Sequence, residues 1–81
     1  MIAENNGRID FGHRLRGLRS DRGLSQEKLG ELAGLDRTYI SQAEAGRRNV
    51  TLATIHKLAR ALGVDPADLV SREAPPGQDQ Q

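Results

Sequence analysis

The chain has 81 residues, no cysteine and a formal net charge of +1, which fits one small domain without a disulfide or a cysteine-ligated zinc ion. Its two aromatic residues, Phe11 and Tyr39, are too few for a surface that stacks the bases of a single strand. No apolar run is long enough to cross a membrane and no signal-peptide core is present, so we expect a soluble, cytoplasmic protein.

The charge is divided unevenly along the chain. Residues 8–60 contain eleven Lys or Arg and six Asp or Glu, which gives a net charge of +5. Residues 61–81 contain one Arg and four Asp or Glu, which gives a net charge of −3. A basic half is what a surface facing phosphates requires, although a net +5 alone does not establish nucleic-acid binding.

The first predicted helix covers about residues 11–22. Asp10 precedes it as a candidate N-cap, and Gly23 follows it as a stop. Apolar residues recur at helical spacing along it and should form a buried stripe: Phe11, Leu15 and Leu18. Residues 1–9 have little periodicity, so we expect them to form a mobile arm.

Residues 25–46, SQEKLGELAGLDRTYISQAEAG, predict two short helices joined by a tight turn. Ser25 and Asp36 are suited to cap the two N-termini, because their side-chain oxygens can accept a hydrogen bond from a first-turn amide. Gly34 can end the first helix in the left-handed conformation, and Gly46 can end the second. The apolar residues expected to be buried in the first helix are Leu29, Leu32 and Ala33.

The second of these helices has two chemically different faces. Ile40 and Ala43 share one side, with Tyr39 at its edge. Arg and Gln can each make two hydrogen bonds to a base edge in the major groove, and Thr can contact the methyl group of thymine. An ordinary solvated face is the alternative interpretation. The opposite side carries these residue types: Arg37, Thr38, Ser41 and Gln42.

Two more helices are predicted after a short loop. Thr51 caps a helix over residues 52–62, which Gly63 ends. A wide apolar face of this helix, expected to be buried, is formed by Leu52, Ile55, Leu58, Ala59 and Leu62. Asp65 and Pro66 then form an N-cap followed by proline, so a short fifth helix should continue to about Val70.

The end of the predicted fold carries more apolar surface than one small core should need. We expect a homodimer interface there, and ordinary core packing is the alternative for each residue. Residues 71–81, SREAPPGQDQQ, have no apolar residue that could hold them to the core and should form a disordered tail. The predicted interface residues are Val64, Leu69 and Val70.

Residues 25–46 resemble the helix-turn-helix of the lambda-repressor/Cro-like family, also called the xenobiotic-response-element family, in SQEKLGELAGL and RTYISQAEAG. The similarity extends over about residues 11–69, and LDRTYIS followed by AGRRNVTL is most similar to controller proteins of restriction–modification systems. The resemblance implies an all-α, compact five-helix lambda-repressor-like DNA-binding domain over residues 10–70. It also implies a homodimeric transcriptional regulator that binds a pseudo-palindromic operator on double-stranded DNA.

Side-chain chemistry and the resemblance together predict roles for individual residues. The polar face of the second short helix would read bases, through Arg37, Thr38, Ser41 and Gln42. Gln26 and Tyr39 would contact phosphates, and three donors in one loop would form a phosphate clamp. A solvated position is the alternative for Gln26 and for the loop, whose donors are Arg47, Arg48 and Asn49.

In the resembled family, an arginine at the position of Arg19 pairs with the glutamate that corresponds to Glu44. We therefore expect a structural ion pair. Removal of one partner would cost about 3–5 kcal/mol if the pair is buried, and less than about 1 kcal/mol if it is exposed. Arg8 offers an alternative role for the N-terminal arm, because it could reach DNA.

No catalytic or metal-binding constellation is evident. His13 and His56 fall on different predicted helices, and the exposed pair Glu27 and Glu31 is typical of solvated charge. We therefore expect no enzyme activity, no metal, cofactor or small-molecule ligand, and no membrane contact. The alternative function is an antitoxin-type protein-interaction module that uses the same fold.

Overall fold

The structure is a computed structural model that describes residues 2–70, with side chains described for residues 7–70. Within this part the secondary structure is entirely α-helical, as predicted, and no helix is long and apolar enough to cross a membrane. The predicted disordered tail, residues 71–81, lies outside the described residues. The described helices are α1 (Ile2–Asp21), α2 (Gln26–Ala33), α3 (Arg37–Glu44), α4 (Leu52–Leu62) and α5 (Pro66–Val70).

The predicted caps set the ends of the central helices. Ser25 Oγ accepts a hydrogen bond from the Lys28 amide at 2.9 Å, and Asp36 Oδ2 accepts one from the Thr38 amide at 3.0 Å. Gly34 follows α2 in the left-handed conformation with φ 72°. Because glycine has no Cβ atom, the chain turns here without the steric strain that other residues would have. These observations confirm the predicted bounds of α2 and α3 to within one residue.

The start of α1 differs from the prediction. The helix begins at Ile2, so Asp10 lies inside it and does not cap it, and the expected arm is helical over residues 2–9. Contacts distant in sequence explain the extension. Ile9 packs against Gly46, and Arg8 Nη1 donates a hydrogen bond to Asn49 Oδ1 at 3.3 Å. Such tertiary contacts stabilise helical turns that periodicity alone does not reveal.

One core joins all five helices. Each helix contributes one side chain with no solvent exposure, and the shorter buried residues Ala33, Ala43 and Ala59 fill the space between them. A core of this kind stabilises the fold mainly by removing apolar surface from water. The five fully buried side chains are Leu15, Leu29, Ile40, Leu58 and Leu69.

Three apolar positions differ from their predicted environment. Leu69 is fully buried in the chain's own core, so its prediction as a dimer-interface residue was wrong. The short helix α5 packs against both α1 and α4, so Leu69 is enclosed within the chain's own core. Leu32 and Leu52 were expected in buried stripes but are 52% and 70% exposed, because neither helix is covered on that side.

Two glycines allow unusually close helix packing. A Cβ atom at Gly12 would collide with the backbone oxygen of Glu44 and would lie 2.7 Å from that of Ala43. A Cβ atom at Gly30 would lie 2.5 Å from the Leu35 oxygen. These glycines therefore set how closely α1 approaches the end of α3 and how closely α2 approaches the turn that follows it.

We predict that Gly12→Ala destabilises the fold by about 1–3 kcal/mol, because the new methyl group can be accommodated only by a backbone shift. Gly17→Ala, in the same helix, is the matched control. Its Cβ atom would meet nothing within 4 Å, so better helix propensity should stabilise the fold by about 0.5–1 kcal/mol. The free energy of unfolding in urea measures both. Equal effects of the two substitutions would contradict the proposed close approach.

Candidate nucleic-acid interface

The turn between α2 and α3 holds the two helices in a fixed relation. The Leu35 amide donates a hydrogen bond to the Gly30 oxygen at 2.8 Å, so the chain folds back directly over the end of α2. Ile40 and Ala43 of α3 are buried against the rest of the domain. This burial fixes which side of α3 faces away from the core.

The outward side of α3 carries the predicted base-reading residues. Arg37 and Thr38 are exposed, while Ser41 and Gln42, one turn later, are half-buried. Their donors and acceptors include the guanidinium and amide groups that can make paired hydrogen bonds to base edges. The structure therefore brings these four residues to one face of α3, as the sequence predicted.

Arg48 connects the loop after α3 to the outward face of that helix. Its guanidinium carbon lies 4.6 Å from the centre of the Tyr39 ring, which is a cation–π contact. Its Nε donates a hydrogen bond to Gln42 Oε1 at 2.9 Å. An amide oxygen can accept a second hydrogen bond, so this contact orients Gln42 without saturating it. The sequence does not predict this connection, because it forms only when the loop folds back on α3.

The rest of the loop lies beside the N-terminal half of α1. Arg47 is exposed, and Asn49 accepts the hydrogen bond from Arg8. Arg8 was considered as part of an arm that reaches DNA, and the structure places it on α1 next to the predicted phosphate clamp. Gln26 is half-buried at the start of α2, and its side-chain amide contacts the Glu44 carboxylate at the C-terminal end of α3.

An ion pair joins α1 to the end of α3. Arg19 Nε and Nη2 donate to the two carboxylate oxygens of Glu44 at 2.6 and 3.1 Å, and the two side chains are 13% and 5% exposed. Arg19 Nη1 also donates to the Leu24 oxygen at 2.6 Å, and Gln26 Nε2 donates to Glu44 Oε1 at 3.0 Å. The predicted pair is therefore present, and it is largely buried.

The pair keeps Arg19 charged. The side-chain hydrogen bond with Glu44 raises the pKa of Arg19, partial burial opposes the rise, and the Glu44 charge adds to it. A raised pKa means that the folded chain holds the proton more tightly than the unfolded chain. This contribution to stability is complete below the ordinary arginine pKa and is lost only as the pH rises through the raised value. Arg19 therefore adds no pH dependence near neutrality.

The comparisons with known proteins converge on one family. Residues 10–71 match the family model described as "Helix-turn-helix domain". The control protein C.BamHI of Bacillus amyloliquefaciens is 51% identical over 67 residues, which is 82% of this chain and 83% of that protein.

Solved structures give the same result. The crystal structure of the restriction-modification controller protein C.AhdI from Aeromonas hydrophila is 51% identical, with a TM-score of 0.78, and the match covers 80% of this chain and 94% of that one. The P22 c2 repressor in complex with a synthetic operator is 27% identical, with a TM-score of 0.72 and coverage of 78% and 96%. The fold and the arrangement of α2 and α3 are therefore those of helix-turn-helix regulators.

We predict that Glu44→Gln destabilises the fold by about 3 kcal/mol, because it leaves the largely buried Arg19 charge without its partner. The control is Glu31→Gln, which breaks the exposed contact of 3.6 Å with Lys28 and should cost less than about 1 kcal/mol. Urea unfolding at pH 7, followed by circular dichroism, measures both. A loss at Glu44 as small as that at Glu31 would show that the buried pair does not support the fold.

Proposed function

This chain belongs to the helix-turn-helix family of DNA-binding transcriptional regulators, and we propose that it acts as a homodimer on a pseudo-palindromic operator. One observation carries this proposal. The inner side of α3 is fixed in the core by Ile40 and Ala43, while its outer side presents hydrogen-bonding groups. A helix of this width fits the major groove, so α3 is the element that would read the sequence.

The base-reading roles follow from side-chain chemistry. Arg37 can make two hydrogen bonds to guanine, and Gln42 can do the same with adenine. Thr38 and Ser41 lie between them on the same face and can donate to or accept from base edges. The contact from Arg48 supports the assignment of Gln42, because an oriented amide loses less conformational freedom when it binds a base.

The phosphate-contact roles follow from position. Arg47, Arg48 and Asn49 are exposed in the loop that begins where α3 ends. Gln26 is the first residue of α2, where the positive end of the helix dipole favours an anion, and its Nε2 also donates to Glu44 Oε1 at 3.0 Å. Tyr39 supports Arg48 through its ring. Contacts of this kind hold the protein in register on the duplex without reading its sequence.

The dimer interface is proposed on the surface near α5. Val70 is 51% exposed at the end of α5, and Val64 is half-buried beside the core. Leu52, at the start of α4, is also largely exposed and becomes a further candidate. A domain of this size buries limited apolar surface alone, so association with a second copy would stabilise it.

The names of the relatives indicate which kind of system this chain would regulate. C.AhdI is named as a restriction-modification controller protein, and C.BamHI is named as a control protein. We propose the same role for this chain, namely control of a restriction–modification system. In that role the amount of dimer would set occupancy of the operator.

Selection from a randomised duplex pool at near-physiological salt tests the proposed function. We expect enrichment of a two-fold-related motif with half-sites about 34 Å apart, one helical turn. Arg37→Ala should lower affinity by about 1–3 kcal/mol and flatten the preference at one base position in each half-site. No enrichment with the unaltered chain would overturn the proposal. Equal loss on all sequences would overturn the base-reading role of Arg37.

We predict that Arg47→Ala weakens binding about equally on every sequence and lowers the salt slope of log K by about one unit, because one phosphate contact is lost. Lys57→Ala removes the same charge from α4, which carries no proposed DNA contact, and should leave the slope unchanged. Binding isotherms at several salt concentrations measure both. Arg47 is preferred to Arg48 because Arg48 also holds Gln42.

A further inference from the structure

The hydrogen bond between Arg48 and Gln42 fixes which end of the Gln42 amide faces the loop. Arg48 Nε lies 2.9 Å from Gln42 Oε1, and a guanidinium group has N–H donors but no acceptor. The amide must therefore face Arg48 with its oxygen, because its NH2 group would place one donor against another. The two N–H donors on Gln42 Nε2 are then on the side of the amide that faces away from Arg48.

Arg48 is itself held in place by contacts other than this hydrogen bond. Its guanidinium carbon lies 4.6 Å from the centre of the Tyr39 ring, so the ring restricts the position of the group. The start of the loop is fixed at Gln42, whose backbone oxygen accepts a hydrogen bond from the Arg47 amide at 2.9 Å. Arg48 can therefore orient the amide although its own side chain is exposed.

Arg48 can orient the amide and contact a phosphate at the same time. A guanidinium group has five N–H donors in a planar fork, and the hydrogen bond to Gln42 uses only the one on Nε. The four donors on the two terminal nitrogens remain for a phosphate. The proposed phosphate contact of Arg48 therefore does not require its bond with Gln42 to break.

The orientation of the amide changes which base edge fits Gln42. A glutamine that can turn freely pairs with adenine, whose N6 amino group donates to the amide oxygen and whose N7 accepts from the amide nitrogen. Beside Arg48 the oxygen already accepts a hydrogen bond from a charged donor, so an amino group that approaches it meets a positive charge. The major-groove edge of guanine offers two acceptors, O6 and N7. That edge fits both the N–H donors of Gln42 and the charge of Arg48.

We propose that Arg48 is a positioning residue that determines specificity, because it turns Gln42 to read guanine instead of adenine. This inference rests on the proposed function, in which α3 lies in the major groove, and it adds the base that Gln42 selects. Arg48 then affects binding in two ways. It contacts a phosphate on every sequence, and it acts through Gln42 at one base pair of each half-site.

The test first locates the base pair that Gln42 reads. Pool selection with Gln42→Ala should flatten the preference at one position of each half-site. At that position we expect the unaltered chain to bind guanine about tenfold more tightly than adenine, which is the effect of one well-formed set of hydrogen bonds to a base edge. A preference for adenine, or the absence of any position that depends on Gln42, would overturn the proposal.

Arg48→Met then separates the two roles of Arg48. Methionine keeps an unbranched apolar side chain beside the Tyr39 ring, but it has no N–H donor and no charge. Affinity is measured for two duplexes that differ only at the position read by Gln42. Loss of the phosphate contact weakens both complexes equally and cancels in the ratio of the two affinities. We expect the preference for guanine to fall from about tenfold to none or to reverse, because the amide can then turn towards adenine.

Arg47→Ala is the matched control for this ratio. It also removes one positive charge from the loop, but Arg47 has no side-chain contact with Gln42 among the described residues. It should weaken both complexes and leave the preference for guanine unchanged. A preference that survives Arg48→Met, or one that changes equally with Arg47→Ala, would overturn the positioning role.

A measurement without DNA tests the contact by itself. Gln42→Met removes the acceptor, so hydrogen exchange of Arg48 Nε–H, followed by NMR, should become several-fold faster. Arg19 Nε–H, which is bonded to Glu44, should be unchanged in the same spectra. Unchanged exchange at Arg48 would overturn the positioning role. If the unaltered chain shows no sequence-specific binding, the proposed function and the choice of base are both overturned, while faster exchange at Arg48 would still support the contact.

Discussion

The ion pair between Arg19 and Glu44 is the interaction on which the position of α3 depends. Glu44 lies in the last turn of its helix, where the helix dipole disfavours a negative charge. Arg19 from α1 and Gln26 from α2 donate three hydrogen bonds to that carboxylate. The Glu44 carboxylate, which would be unfavourable at this position without partners, instead connects α3 to α1 and α2. Arg19 and Gln26 therefore orient the outward face of α3 by binding the end of the helix, without contacting that face.

Close backbone packing makes that ion pair geometrically possible. Gly12 lets α1 approach the last turn of α3 closely. Arg19 lies two turns after Gly12 on α1, within reach of the Glu44 side chain. Gly30 does the same between α2 and the turn. A side chain at Gly12 would separate α1 from α3 and lengthen the contacts of 2.6 and 3.1 Å between Arg19 and Glu44. Close packing and the electrostatic contact thus depend on each other.

The sequence predicts the parts of this structure that are determined locally. Ser25, Asp36 and Gly34 act through neighbours within four residues, so the bounds of α2 and α3 follow from capping chemistry. The extension of α1 to Ile2 and the burial of Leu69 depend on contacts between residues that are distant in sequence. The spacing of apolar residues along the chain does not reveal such contacts. The polar face of α3 could be predicted because it is a property of one helix. The positions of the loop side chains could not, because the loop has no repeating backbone geometry.

The contacts of Arg48 indicate how such a small domain could present a defined surface to a duplex. A free arginine on a loop would lose considerable rotamer freedom on binding. Arg48 is already held between the ring of Tyr39 and the amide of Gln42, so part of that ordering is completed during folding. The same contacts hold Gln42 on the outward face of α3. Folding of the loop against α3 therefore organises a proposed phosphate contact and a proposed base reader together, and the loss of either side chain would disturb the other.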